Sequence, residues 1–222
     1  MTITIGPETA DHLILKAFEN IRKRVEADNA PLSSEDTFRF LFAWELGRIL
    51  EFASDYRFDF EWNAYSELDS EDTFLDLLVY TDPNFKIALE FKLPKSSKEH
   101  KSAQTQLRAR INRDVCRLSH LVRKGINSIH LGYFMCATNE GPYIAEGRKT
   151  VNPQYKTYHG TVYRPSTIIP KGEGSNGIHR ELLMPNHEVR FEWEGINQVG
   201  FLTDRVTPTG RFAWLKPIKV WA

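Results

Sequence analysis

Two apolar runs in the middle of the chain, TFLDLLVYT (73–81) and FKIALEFKL (85–93), are each broken by charge. That conflict constrains the fold more than any other feature. Asp82, Pro83 and Asn84 between them supply turn chemistry, so the pair predicts a β-hairpin. A turn centred on Pro83 sets position 76 opposite position 90, and the two-residue period of a strand puts Lys92 on the same face as Glu90. Directly opposed side chains have Cβ atoms about 4.5–5.5 Å apart. At that range the carboxylates of Asp76 and Glu90 repel. A divalent cation between them removes the penalty, and hard oxygen donors suit Mg²⁺ or Mn²⁺. Lys92 would then assist an attacking water or stabilise charge on a reacting phosphate. The bland alternative is a buried Asp/Glu–Lys salt bridge that only fixes the hairpin register.

The surrounding pattern gives this hairpin a place. One helix is predicted from about Glu8 to Glu26. A second opens after Pro31, with Ser33 as N-cap and Asp36 three residues on, and runs through FRFLFAWELGRILEFA. It is apolar on most sides, which predicts packing on more than one face. RFDFEWNAY (57–65) alternates as a half-buried strand does. After the hairpin come a long helix, Lys98 to Lys124, stopped by Gly125, and a central strand over 127–138. The fold class is α/β: a core of order αβββαβ, with a mixed sheet flanked by helices, over 1–138. A β-rich extension over 139–222, with GEGSNG (172–177) as a loop, packs on it so that the two form one structural domain.

Asp76, the Glu90-Phe91-Lys92 tripeptide and the αβββαβ order over about 34–138 resemble the PD-(D/E)xK nuclease superfamily, the restriction-endonuclease-like fold. The resemblance implies metal ligation by Asp76, Glu90 and the Phe91 backbone carbonyl, with Lys92 as catalytic lysine. It also implies a further Glu from the helix before the first strand. Glu45, set among Leu41, Phe42 and Ile49 at helical spacing, is the best match and Glu51 the reserve. Leu75 stands where the motif's name has proline. A second E-x-K, Glu99-His100-Lys101, lies in a polar segment and has no such context. The implied function is Mg²⁺- or Mn²⁺-dependent hydrolysis of phosphodiester bonds, as an endonuclease on DNA in preference to RNA, in restriction, defence, repair or a mobile element. A homodimer would supply two active sites for two strands. A non-catalytic module of the same fold, binding nucleic acid or a protein, is the rival.

Charge supports an anionic partner only when counted by segment. The chain carries 29 basic and 29 acidic residues, but residues 1–91 hold 8 and 19, whereas 92–126 hold 10 and 2. Lys95, Lys98 and Lys101, just past Lys92, together with Arg108, Arg110 and Arg113, are the expected phosphate contacts. Arg110, Arg113, Arg117, His120 and Lys124 form a stripe opposite the apolar face Leu107, Ile111, Val115, Leu118 and Val122. That stripe either meets phosphates or is a solvated face. Asp114 is expected to pair with a neighbouring Arg, and Gln104 and Gln106 are further candidates for holding the site. Cys116 and Cys136 read as buried hydrophobes. No apolar run spans a membrane, and the start lacks the pattern of a signal peptide, which together predict a cytoplasmic protein.

Overall fold

A β-meander carries the site. In the computed structural model, which describes residues 7–27, 31–51, 56–68, 73–82, 85–95, 104–146, 155–171, 180–196 and 212–222, it comprises β1 (Arg57–Asn63), β2 (Phe74–Asp82) and β3 (Phe85–Lys92). Both pairings are antiparallel. The β2–β3 register, Leu77 opposite Leu89 through Tyr80 opposite Lys86, is the one that a turn about Pro83 demands. Pro83 and Asn84 themselves, like the GEGSNG loop, Lys98 and Lys101, lie outside the described residues.

Helix α3 (Gln104–Lys124) then crosses the sheet and returns the chain as β4 (Ile129–Thr138), parallel to β3. The turn between them uses Gly125 at φ +58°, a left-handed conformation that costs glycine little. The last strand of the chain, β10 (Ala213–Trp221), pairs antiparallel with the far edge of β4, and β9 (Trp193–Glu194) follows it. The sheet is therefore mixed and six-stranded, in the order β1-β2-β3-β4-β10-β9. The extension beyond residue 138 does more than pack on the core: its last strand completes the central sheet.

Strand alternation splits the core in two. Leu77, Val79, Ile87, Leu89, Phe91, Tyr133, Met135 and Trp214 face α1 (Pro7–Glu26) and α2 (Glu35–Ile49). Leu78, Ala88, Phe134, Cys136 and Leu215 face α3. Glu90 and Lys92 share the parity of Ala88 and so belong to the α3 face. Phe91 points the other way, its ring 5.2 Å from that of Phe38 and 5.4 Å from that of Phe42. Those aromatic contacts fix α2 across the end of β3.

Several expectations shift. The N-cap of α2 is Ser34, whose Oγ accepts from the Thr37 N–H at 3.0 Å, while Ser33 meets the Thr37 hydroxyl. The helix stops at Ile49 rather than Ala53, and Glu51 takes φ +54°. One face of α2 stays open, with Phe40 54 % and Trp44 57 % exposed, so it packs on fewer sides than its composition predicts. The basic stripe on α3 divides: Arg110 and Lys124 are exposed and His120 is half-buried, whereas Arg113 and Arg117 are buried. Two short ribbons also pack on the helix. These are β5 (Thr161–Tyr163) with β8 (Val189–Phe191), and β6 (Ile168–Ile169) with β7 (Leu182–Leu183). Among the described residues, no helix is long and apolar enough to cross a membrane.

Helix α3 approaches the sheet closely at Gly132 of β4, where an added Cβ would stand 3.3 Å from Leu118 Cβ. That atom is fixed by the backbone of α3 and cannot rotate away. Gly132→Ala is therefore expected to destabilise the chain by about 1–3 kcal/mol, read as a lower urea midpoint at an unchanged m-value.

Candidate functional site

The paired part of β2 and β3 ends at Leu77 and Leu89. One residue further on, the Phe91 N–H donates to Asp76 Oδ2 at 2.7 Å, so a side chain takes the bond a strand carbonyl would otherwise receive. From here β3 follows β4 alone, with Lys92 aligned to Cys136. The fork gathers Asp76, Glu90 and Lys92, the three residues that the sequence set on the hairpin.

Each charge in the fork has a defined counterpart. Lys92 is 8 % exposed, and its Nζ donates to Glu35 Oε1 and to the Phe91 carbonyl, both at 2.9 Å. It also ion-pairs with Asp114 Oδ2 at 3.1 Å. Burial works against its charge, but Asp114 and Glu35 outweigh it and hold the ammonium well above the usual lysine range. Asp114 is buried, yet Lys92, Arg113 and Arg117 pull it far below the usual carboxylate range. Arg113 Nε donates to its Oδ1 at 3.1 Å and Arg117 Nη1 at 3.4 Å. Arg117 also donates to the Phe74 carbonyl at 2.7 Å and lies 3.7 Å over the Tyr65 ring.

Glu90 is different. It is 2 % exposed, and its Oε1 accepts no hydrogen bond and faces Arg117 Nη2 at 3.7 Å. Burial first, and then the nearby Asp76 charge, push its pKa well above the usual range, against the pull of Arg117. Among the described residues Asp76 Oδ1 accepts no hydrogen bond, and Arg39 Nη1 lies 3.6 Å from it. Lys92 does not bridge the hairpin: among the described residues its ion pairs run to α2 and α3. The salt bridge across the hairpin, the bland alternative, is therefore not the arrangement formed.

Glu45 has no place in this cluster. It faces α1, where Arg24 binds its carboxylate and Asn20 lies at 3.5 Å, while Arg48 of its own helix donates to it at 3.1 Å. Burial would raise its pKa, but the two arginines bring it below the usual range. The acid of α2 that reaches the fork is Glu35, ten residues earlier at the helix N-terminus, which sequence reasoning passed over. The signal available was Glu35, Asp36 and Arg39 at helical spacing next to a cap. Glu51 lies beyond the helix end and is exposed.

The expected phosphate contacts divide. Arg110 is exposed. Arg108 and Arg113 are each 5 % exposed, with Arg108 over the Tyr158 ring and Arg113 on Asp114, so neither offers a free surface cation. Lys95 hydrogen-bonds the Ser33 carbonyl, and Gln104 and Gln106 are half-buried in the first turn of α3.

Whether a divalent cation suits the fork turns on its donors. Among the described residues, no group of three or more His, Cys, Asp or Glu side chains is set to hold a metal ion. Mg²⁺, however, is commonly held by one or two carboxylates, with water and substrate phosphate completing the shell. Asp76 Oδ1 and the orphaned Glu90 Oε1 are hard oxygen donors of that kind. The Phe91 carbonyl, by contrast, is already engaged by Lys92.

The ion pairs of Glu45 generate a stability prediction. Glu45→Gln leaves two arginines at the α1–α2 contact without their carboxylate, and a loss of about 1–3 kcal/mol at pH 7 is expected in urea unfolding. A depressed pKa stabilises above the ordinary value of 4.5 and ceases to do so as pH falls through the depressed value. The difference between wild type and variant should therefore shrink in acid below about pH 4.5.

Comparison with known proteins finds no matching family model, no similar curated protein and no similar solved structure.

Proposed function

We propose that the chain is a metal-dependent nuclease that hydrolyses phosphodiester bonds, with DNA the favoured substrate and Asp76, Glu90 and Lys92 at its centre. The observation that carries this is the fork itself: two carboxylates on neighbouring strands, each with an oxygen free of hydrogen bonds, beside a buried ammonium held by other acids. A meander of three strands, a crossover helix and a parallel fourth strand agree with the αβββαβ order of the PD-(D/E)xK superfamily.

In this reading Asp76 Oδ1 and Glu90 Oε1 hold Mg²⁺ or Mn²⁺. The ion supplies Lewis-acid polarisation of the phosphoryl group. Asp76 has a second task, because its grip on the Phe91 N–H fixes the peptide from which Lys92 departs. Lys92 acts as a cation, not a base. Its pKa lies well above neutrality, so it donates hydrogen bonds to a phosphate oxygen or to the attacking water and does not take that water's proton. Glu35 and Asp114 hold the ammonium in place from two sides. As water attacks phosphorus it would lose its proton to bulk solvent, the bond to the leaving sugar oxygen would break in line with that oxygen taking a proton from solvent, and the fixed positive charge would stabilise the excess charge on the phosphoryl oxygens.

The mutual compensation of Glu35, Asp76, Glu90 and Asp114 by Lys92, Arg39, Arg113 and Arg117 favours a second reading, a non-catalytic module of the same architecture. One experiment separates the two. The protein is incubated with plasmid, single-stranded DNA and RNA, with Mg²⁺, with Mn²⁺ and with chelator. Cleavage that needs metal, and that falls about 10²–10⁴-fold in Lys92→Ala and Asp76→Asn, is the expected result. Equal cleavage by Lys92→Ala would remove that residue from the chemistry. No cleavage, with no Mn²⁺ binding, leaves the non-catalytic module.

A further inference from the structure

Arg39 has no part in the motif behind the nuclease reading, yet it lies against the acid at its centre. Its side chain is 8 % exposed and reaches three carboxylates: Asp36 Oδ1 at 2.6 Å, Glu61 Oε1 at 3.4 Å and Asp76 Oδ1 at 3.6 Å. The first two belong to Nη2, and both acids are solvent-exposed, at 69 % and 67 %. The third belongs to Nη1 and is longer than a hydrogen bond. Arg39 is thus anchored from outside while one nitrogen turns loosely into the fork.

Two details give that nitrogen a purpose. Oδ2 of Asp76 is committed to the Phe91 N–H, so Oδ1 is the oxygen left for an incoming cation, and Oδ1 is the atom Arg39 faces. The second detail is Glu61, at φ +55° inside β1. It falls between the paired positions Phe60–Leu77 and Trp62–Leu75, across from Asp76. A non-glycine residue held left-handed in a strand is strained. Here the conformation goes with a carboxylate that anchors Arg39 outside the fork. The guanidinium carbon also lies 5.7 Å and 5.9 Å from the ring centroids of Phe40 and Phe60, surfaces that favour a cation without binding it rigidly.

We infer that Arg39 is an exchangeable counter-ion and phosphate contact: it balances Asp76, yields Asp76 Oδ1 to a divalent cation, and offers the freed Nη1 to the phosphate of the substrate. This deepens the metal-dependent reading and rests on it. The planar guanidinium suits a phosphate as it suits a carboxylate, so the same nitrogen can serve both. Arg39 and the cation compete for Asp76 but act together on a phosphate. Removing Arg39 must therefore move the two affinities in opposite directions.

The test uses the full chain and two probes, Mn²⁺ alone, followed by its electron spin resonance signal, and inorganic phosphate added to the Mn²⁺-loaded protein, followed by calorimetry. Arg39→Met keeps an apolar stem and removes the charge. It is expected to bind Mn²⁺ about tenfold more tightly and phosphate about tenfold more weakly. Arg39→Lys keeps the charge without the fork of donors. It should hold Mn²⁺ affinity within about twofold while still weakening phosphate. If both affinities fall together, or neither moves, Arg39 is only a structural counter-ion and the inference is overturned. Asp76→Asn keeps the two levels apart. Mn²⁺ binding by the wild type that this variant loses leaves the metal site standing, and the Arg39 variants alone then decide. A wild type that binds no Mn²⁺ overturns both.

Discussion

The peptide of Phe91 is the joint on which the molecule turns. Its N–H bonds the Asp76 carboxylate, its carbonyl accepts from Lys92 Nζ, and its ring packs against Phe38 and Phe42 of α2. The N–H bond releases β3 from β2 without leaving a buried donor unpaired, which would cost about 1–3 kcal/mol. The carbonyl bond sets the direction of Lys92. The ring brings the N-terminus of α2, and with it Glu35 and Arg39, over the end of β3. Three layers of the fold thus meet at one residue, and the chemistry-bearing side chains surround it.

Burial of the charges decides how they pair. Among the described residues Arg113 and Arg117 of α3 are buried, so water cannot solvate them and acids must. Asp114 takes Arg113, Arg117 and Lys92, and Arg117 adds the Phe74 carbonyl and the Tyr65 ring. A network closed in this way keeps its geometry, which is what a site needs from the residues around it. Glu90 Oε1 is among the buried oxygens of this network that accept no hydrogen bond, and its cation, Arg117, stands off at 3.7 Å. A carboxylate so placed favours a further positive charge brought beside it.

What the sequence made legible depended on local rules. The hairpin register followed from a turn centre and a period of two, and both act over a few residues. The face of Lys92 followed with it. The helix partner did not. Helical spacing around Glu45 correctly predicted a buried acid, but α2 is apolar on most sides, and spacing alone does not say whether that acid meets the sheet or another helix. Arg24, more than twenty residues earlier, decided it. Glu35 is an acid of the kind the helix dipole favours at an N-terminus, and only the position of β3 gives it a partner. The α3 stripe divides for the same reason: Arg110 and Lys124 are exposed, while Arg117 is buried against Tyr65, Phe74 and Glu90, which lie far from it in the chain.

The segmental charge imbalance now has a different meaning. An acidic stretch before Lys92 and a basic one after it suggested cations on offer to a polyanion. Instead many of those cations are spent inside the fold: Lys92 on Glu35 and Asp114, Arg117 on Glu90 and Asp114, Arg113 on Asp114. Of the α3 arginines expected to meet phosphate, Arg110 alone is exposed. Non-specific attraction to a nucleic acid scales with the phosphates that surface cations can neutralise, and among the described residues of α3 Arg110 and Lys124 are the exposed ones in the stripe. Under the proposed nuclease reading the fork, where a divalent ion and the inward nitrogen of Arg39 would meet a single phosphate, would therefore carry selectivity that bulk charge does not.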